Sequence, residues 1–271
     1  MHEKPSNQPL SILTVNYNTI DFVELMVYSF KKLTKNPYKM IICDNGSKKK
    51  DIKKLKCIEK SNSNIEVIYR KQTSAGSFGH AQALDILIEK VTTPYFVVMD
   101  ADAVFLLRDW DEKMLSQIND EVKAIGTPPV TSKKIIKYRD FPIMFATLYD
   151  TYTYKNLKVS FMPDEKNFNT GMDTGYEISE RFIANGKRGI CFEEKSTRIY
   201  KDGPYAGVIC AEYYSNRELI ASHFGRGASL GNAKYLKKFR VPLIGKLLRT
   251  IIGKYQKDKW IRISMETINK N

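Results

Sequence analysis

Residues 95–105 read Tyr-Phe-Val-Val-Met-Asp-Ala-Asp-Ala-Val-Phe, a run of apolar β-formers that ends in two aspartates one residue apart, Asp100 and Asp102. Tyr95 to Met99 reads as a strand buried on both faces, and a core has no use for two carboxylates at its carboxyl end. Open α/β sheets place their ligand site at that end, where strands give way to loops. Paired carboxylates there suit a hard divalent cation, and a cation held by one or two carboxylates commonly holds a diphosphate as well. A nucleotide-diphosphate substrate is therefore the first expectation.

The rest of the first half supports a sheet of that kind. Ser11 to Val15, Met40 to Cys43 and Ile65 to Tyr69 read as further strands. Asp21 to Leu33, Asp51 to Glu59 and Gly79 to Val91 carry helical patterns between them. Such alternation implies a mainly parallel central sheet flanked by helices. The second half is less regular. Four prolines and several aromatics within residues 126–170 predict long ordered loops with short strands. Thr174 to Asn185 reads as a helix capped by Thr174, with Glu177 as a capping-box partner and Gly186 at its end. Residues 205–224 look strand-rich.

A chain of 271 residues can bury a full core as one large α/β domain or two small ones. No run approaches the roughly 20 apolar residues of a membrane span. The opening MHEKPSNQPL holds no apolar signal core ahead of the first strand. Cys43, Cys57, Cys191 and Cys210 show no paired metal-ligand spacing, so free thiols in a reducing cytoplasm are expected. The net charge of +14 is unevenly placed: residues 234–262 hold ten Lys or Arg against the single acid Asp258, a local +9. The basic charge thus belongs to a tail and says little about the rest of the chain.

Three segments at predicted strand ends face one edge of a parallel sheet: Thr14-Val15-Asn16-Tyr17-Asn18, Cys43-Asp44-Asn45-Gly46-Ser47 and Asp100-Ala101-Asp102. In order and spacing over residues 11–102 they resemble family 2 glycosyltransferases of the GT-A fold, a Rossmann-like nucleotide-diphospho-sugar transferase class. In that family the first strand ends in a Tyr-Asn pair and the second in Asp-Asn-Gly-Ser. The nucleotide half closes with an Asp-x-Asp motif.

The resemblance implies roles. Asp44 would accept a hydrogen bond from the base of the sugar nucleotide, with backbone around Val15, Asn16 and Tyr17 lining the same pocket. Asp100 would sit near the ribose or the outer shell of the metal, and Asp102 would bind Mn²⁺ or Mg²⁺ directly. That ion would neutralise the charge growing on the departing nucleoside diphosphate, which is Lewis-acid chemistry. A bland reading of Asp44 stands beside this, because Asp-Asn-Gly-Ser is a strong turn sequence anywhere.

Gly79 falls where the family carries a glycine ahead of an Ala-rich helix, and Asp85 occupies roughly the position of that helix's usual Asn. His80 is either a donor to the diphosphate or a capping or surface histidine. Gly171-Met172-Asp173 resembles the family's acidic segment, with Met172 at the Glu position. Asp173 is accordingly the candidate general base that takes the acceptor hydroxyl's proton, and Asp164 and Glu165 are second choices. In Ser222-His223-Phe224-Gly225-Arg226-Gly227, His223 is read as an additional metal ligand or phosphate contact and Arg226 as a diphosphate contact. An imidazole beside Asp102 would favour Mn²⁺ over Mg²⁺ somewhat.

These readings combine into a GT-A domain over 1–231, with a nucleotide-sugar half to residue 103, an acceptor half over 104–231 and a basic amphipathic extension over 232–271. The expected activity is metal-dependent, inverting transfer from a nucleotide-diphosphate sugar, UDP-sugar by default, to a saccharide or glycolipid hydroxyl in surface polymer synthesis. Two rivals carry less. A nucleotidyltransferase calls for a glycine-rich basic loop where Asn16 to Asp21 stand, and a degenerate binding protein would have lost one of Asp44, Asp100, Asp102 or Asp173. The tail has two readings of equal standing. One is a basic amphipathic helix, with Phe239 and Trp260 as aromatic flanks, lying on an anionic membrane at the inner face of the cell membrane. The other is a terminal helix docked on the body. Nucleic acid is not an expected partner.

Overall fold

The computed structural model of the protein describes residues 7–74, 76–129, 139–164, 174–235 and 244–271. Its first half alternates as the sequence predicts: β1 (Leu10–Asn16), α1 (Ile20–Leu33), β2 (Tyr38–Asp44), α2 (Lys49–Ser61), β3 (Ile65–Tyr69), α3 (Gly76–Glu89) and β4 (Tyr95–Asp100). Then follow β5 (Ala103–Phe105), α4 (Trp110–Leu115), β6 (Val122–Gly126), β7 (Thr147–Asp150), α5 (Thr151–Asn156), α6 (Tyr176–Ala184), β8 (Arg188–Cys191), β9 (Glu193–Ser196), β10 (Ala211–Ser215), β11 (Glu218–His223) and α7 (Ile244–Lys270).

A seven-stranded sheet in the order β3-β2-β1-β4-β7-β6-β8 forms the centre. Its first four strands are parallel, and β7 runs antiparallel to both neighbours. Alternate residues feed two apolar layers, as a sheet covered on both faces requires. Ile12, Met40, Val97 and Met99 pack toward α1, whereas Leu13, Ile41, Phe96 and Val98 pack toward Leu84 and Leu87 of α3. Each such side chain stabilises the fold by about 1.5–3 kcal/mol on burial.

Register brings the predicted ligand edge together. Val15 lies beside Cys43 on one side and Asp100 on the other, and Asn16 lies beside Asp44. The Asp-Ala-Asp segment is also a corner between sheets. Asp100 ends β4 in the large sheet, and Ala103 opens β5 in a four-stranded antiparallel sheet ordered β5-β11-β10-β9. β5 pairs with β11 so that Ala103 faces His223, which carries the histidine back to the two aspartates.

Two local expectations are corrected. Helix α6 starts after Gly175 in the left-handed region (φ 77°), with no side-chain cap. Thr174 instead donates its hydroxyl to the Ser77 carbonyl of α3. Nor is Glu177 a capping-box partner: it accepts from the Ser160 backbone N–H and pairs with Arg181 one turn on. A glycine free to take positive φ turns the chain without a cap, which releases both side chains for contacts across the fold.

The second correction concerns the tail. Trp260 is not an aromatic flank at a surface. It is buried among Phe22, Tyr205 and Phe224, and its indole N–H donates to Ser222 Oγ at 2.9 Å. Ser264 exchanges a 2.8 Å hydrogen bond with the Tyr205 hydroxyl, and Lys257 reaches Asp21 of α1 at 2.6 Å. Gly253 does not break the helix, because it is where α7 meets the body: a Cβ there would lie 2.2 Å from the Leu230 carbonyl oxygen. The first half of α7 differs, with Leu247, Ile251 and Tyr255 more than half exposed. Among the described residues no helix is long and apolar enough to cross a membrane.

Candidate active site

The end of β1 is built around Asn16, whose amide is wholly used inside the protein. Its Nδ2 donates to Asp44 Oδ1 (2.8 Å) and Ser47 Oγ (2.9 Å), and its Oδ1 accepts from both the backbone and hydroxyl of Thr19. Asp44 accepts from the Ser47 N–H through its other oxygen, at 3.1 Å. Its carboxylate therefore holds the Asp-Asn-Gly-Ser turn, as the bland reading expected, and still has lone pairs left, since an ionised carboxylate accepts about four hydrogen bonds. Val15 is buried, whereas Tyr17 is 44% exposed at the mouth of this edge. The turn also reaches α3: Asn45 Nδ2 donates to the Gly79 carbonyl at 3.1 Å. Gly79 admits no side chain, because a Cβ would sit 2.1 Å from the Ser74 carbonyl oxygen.

Asp100, Asp102 and His223 converge at the corner between the sheets. Each offers one ligand atom, and these atoms lie within 4.8 Å of one another. His223 Nε2 is 3.2 Å from Asp102 Oδ1 and 3.6 Å from Asp100 Oδ2. The imidazole is clamped from behind by the Phe145 ring, 4.0 Å away between centroids. Asp102 Oδ2 accepts the Gly227 N–H at 2.7 Å.

Burial pushes both carboxyls upward, but with different results. For Asp100 burial prevails over His80 and His223, and the carboxyl lies above its usual range. For Asp102, burial is outweighed by the charge and hydrogen bond of His223, by Gly227 N–H and by Lys234, so it lies below. Burial lowers His223, yet the two aspartates hold it above the ordinary imidazole value. Two carboxylates and an imidazole can hold a divalent metal, and Asp100 Oδ1 is buried with no hydrogen-bond partner, so the donor set fits such an ion.

Several participants were not visible in the sequence. Lys234, counted there as tail charge, is half-buried instead. Its Nζ donates to the Ile209 carbonyl (2.8 Å) and the Phe224 carbonyl, and lies over the Phe224 ring. Burial brings its pKa down to about 8. It ties down the loop after His223, in which Arg226 is exposed and has a left-handed backbone (φ 59°). Gly227 lets the backbone approach closely: a Cβ there would lie 2.7 Å from Asp102 Cβ. Asp85, at the position of the family's helix Asn, faces the second half: it accepts from Ser160 Oγ (2.6 Å) and Phe161 N–H (2.8 Å). Asp173 and Glu165 lie outside the described residues, as do residues 236–243 of the basic stretch. Asp164 lies at the edge of that segment, close enough to Tyr176 to raise its phenol after burial has done so.

Comparison with known proteins agrees with the fold. The structure resembles a mannosyltransferase from Pyrobaculum calidifontis, solved with GDP-Man and Mn²⁺, at a TM-score of 0.54 and 14% identity. That likeness covers 68% of this chain and 55% of the other. GalNAc-T7, solved with UDP, GalNAc and Mn²⁺, matches at a TM-score of 0.50 and 13% identity over 69% of this chain and 43% of the other. At such identities the likeness is one of fold, and that fold is GT-A. In sequence, 32% identity over 94 residues links the chain to a teichoic acid poly(glycerol phosphate) polymerase of Staphylococcus epidermidis. The match takes in 34% of this chain and only 12% of that protein. The glycosyl transferase family 2 model matches residues 11–178, well over half of the chain and including the Asp-Ala-Asp corner and all three strand ends. The chain belongs to glycosyltransferase family 2.

Proposed function

We propose that the protein transfers a glycosyl group from a nucleoside-diphosphate sugar, with UDP as the default nucleotide, to an acceptor hydroxyl in one inverting displacement. The observation that carries this reading is the convergence of Asp100, Asp102 and His223 at the carboxyl edge of the sheet. Asp102 and His223 would hold Mn²⁺ or Mg²⁺, with Asp100 beside them. Bound there, the ion supplies Lewis-acid stabilisation of the leaving diphosphate. Exposed Arg226, in the loop after His223, would contact the same charge. Tyr17 and the Val15–Asn16 backbone flank the base and ribose, Asp44 accepts from the base, and Gly79 lets α3 approach.

Asp173 is the proposed base, accepting the proton of the attacking hydroxyl. Support comes from its neighbour Thr174, which bonds to Ser77 on α3, the helix that also carries His80. Within this reading the boundary near residue 103 separates donor and acceptor halves, and residues 232–271 form an extension. The teichoic acid relative supports a cell-surface polymer or glycolipid as the acceptor class. The exposed apolar side chains of Leu247, Ile251 and Tyr255, set among Lys246, Arg249 and Lys254, support contact with an anionic membrane surface through the first half of α7.

The test is a thermal-shift screen of nucleoside diphosphates with and without Mn²⁺, followed by assay of sugar-nucleotide turnover. Stabilisation by one diphosphate that needs the metal, and turnover of the matching sugar nucleotide, are expected. Stabilisation by triphosphates alone, or turnover undiminished in excess chelator, would overturn the proposal.

A further inference from the structure

A second histidine stands at this corner. His80, in the second turn of α3, points its Nε2 at Asp100 Oδ1 across 3.6 Å, just beyond hydrogen-bond reach. Both atoms are buried, and neither has a hydrogen-bond partner. Unpaired buried polar atoms are rare because each gives up its hydration with nothing in exchange. Here two of them face each other, a few tenths of an ångström from pairing. Asp100 is flanked on both sides: Oδ1 faces His80, and Oδ2 faces His223 at 3.6 Å. The side chain is not there by accident of helix phase. Gly79 presses against the Ser74 backbone, and Asn45 holds the Gly79 carbonyl, so the start of α3 is anchored to the turn that carries Asp44.

We infer that His80 is a positioning residue of the metal site: its Nε2–H would donate to Asp100 Oδ1 and so fix the carboxyl whose other oxygen faces His223, where the divalent ion would be held. This rests on the metal-dependent reading above and adds to it. Metal-bound carboxylates are themselves held by hydrogen bonds, and loss of such an outer partner typically costs roughly 10- to 100-fold in metal affinity. The connection also runs outward. Asn45 ties the Asp44 turn to Gly79, and Gly79 precedes His80, so the histidine is seated by the same turn.

The test is Mn²⁺ affinity of the full-length protein, read from the free-ion EPR signal, for wild type, His80→Ala and His80→Gln. Gln places an amide N–H close to where Nε2 stands, so it restores the donor without an imidazole. A roughly 10- to 100-fold weaker affinity in His80→Ala, substantially recovered in His80→Gln, is expected. Pulsed EPR of the Mn²⁺ complex should show one directly bound imidazole nitrogen in wild type and in both variants, from His223. Equal affinity in wild type and His80→Ala would overturn the inference while leaving the metal reading intact. A second bound nitrogen lost with His80 would overturn it in favour of direct ligation. Equal loss in Ala and Gln would overturn it in favour of a packing role. Absence of Mn²⁺ binding in wild type would overturn the metal reading itself, and this inference with it.

Discussion

Gly227 gives its backbone N–H to Asp102 Oδ2 at 2.7 Å, and the two residues stand 125 positions apart in the chain. The contact is possible because Gly227 has no side chain: a Cβ would lie 2.7 Å from Asp102 Cβ and 3.0 Å from Phe22. Gly227→Ala must therefore push the loop away from the aspartate. Overpacking of this kind costs about 1–3 kcal/mol. A fall in Tm together with weaker Mn²⁺ binding is expected, and a variant matching wild type in both would refute the assignment of Gly227 as a support for Asp102.

Asp102→Asn keeps an oxygen for the Gly227 N–H but removes the charge that the ion needs. The fold should survive, while the stabilisation that Mn²⁺ gives in the presence of nucleoside diphosphate disappears. In wild type that stabilisation reaches about 2.7 kcal/mol at a ligand concentration 100 times Kd. Differential scanning fluorimetry with and without metal measures both quantities. A metal-dependent shift that persists in the variant would move the ion elsewhere.

Asp173→Asn preserves shape and hydrogen bonding but cannot take a proton. General-base removal costs on the order of 10²–10⁴ in rate. Transfer rate should fall by that factor, with nucleoside diphosphate affinity nearly unchanged. If rate and affinity fall together, Asp173 supports the donor pocket; if neither falls, the base lies elsewhere, with Asp164 the next carboxylate to test.

Asp85 offers a pH test. Burial raises its carboxyl above the ordinary range, against the hydrogen bonds from Phe161 N–H and Ser160 Oγ. A carboxyl raised in the folded state contributes stability below its unfolded value, about 3.9, and loses that contribution as pH rises through the folded value. Asp85→Asn does not titrate there and still accepts from Phe161. The variant should match or exceed wild type in Tm at neutral pH, with its advantage shrinking on acidification through the raised value. An advantage that grows on acidification would contradict the burial argument.

The exposed half of α7 can be tested separately from its docked half. Leu247→Glu with Ile251→Glu changes side chains that are 61% and 55% exposed, so stability should stay within about 0.5 kcal/mol. Sedimentation with anionic vesicles should show binding by wild type, weakening as salt rises and the screening length falls to about 3 Å at 1 M. The double variant should no longer sediment. Equal sedimentation of both proteins would exclude this face as the membrane contact.

What the sequence determined is local in origin. The apolar run of β4, the helical spacing in α1 and α3, and the carboxylates at the ends of β2 and β4 follow from residues a few positions apart. So the parallel sheet, its ligand edge and the placing of Asp44 and Asp100 at strand ends on that edge were legible. Lys234 looked like tail charge, and Trp260 looked like a membrane flank, because nothing near them in the chain shows that Phe224 and Ser222 cover them. Thr174 looked like a helix cap because its own neighbours favour that role, yet Ser77 of α3 takes its hydroxyl. His223 reaches Asp102 only through the β5–β11 pairing, 121 residues apart. The facing of His80 and Asp100 depends on how tightly Gly79 seats α3 against Ser74. Tertiary structure alone decided these contacts, because which buried polar groups meet is set by the packing of whole layers, and sequence periodicity describes only the face each layer presents.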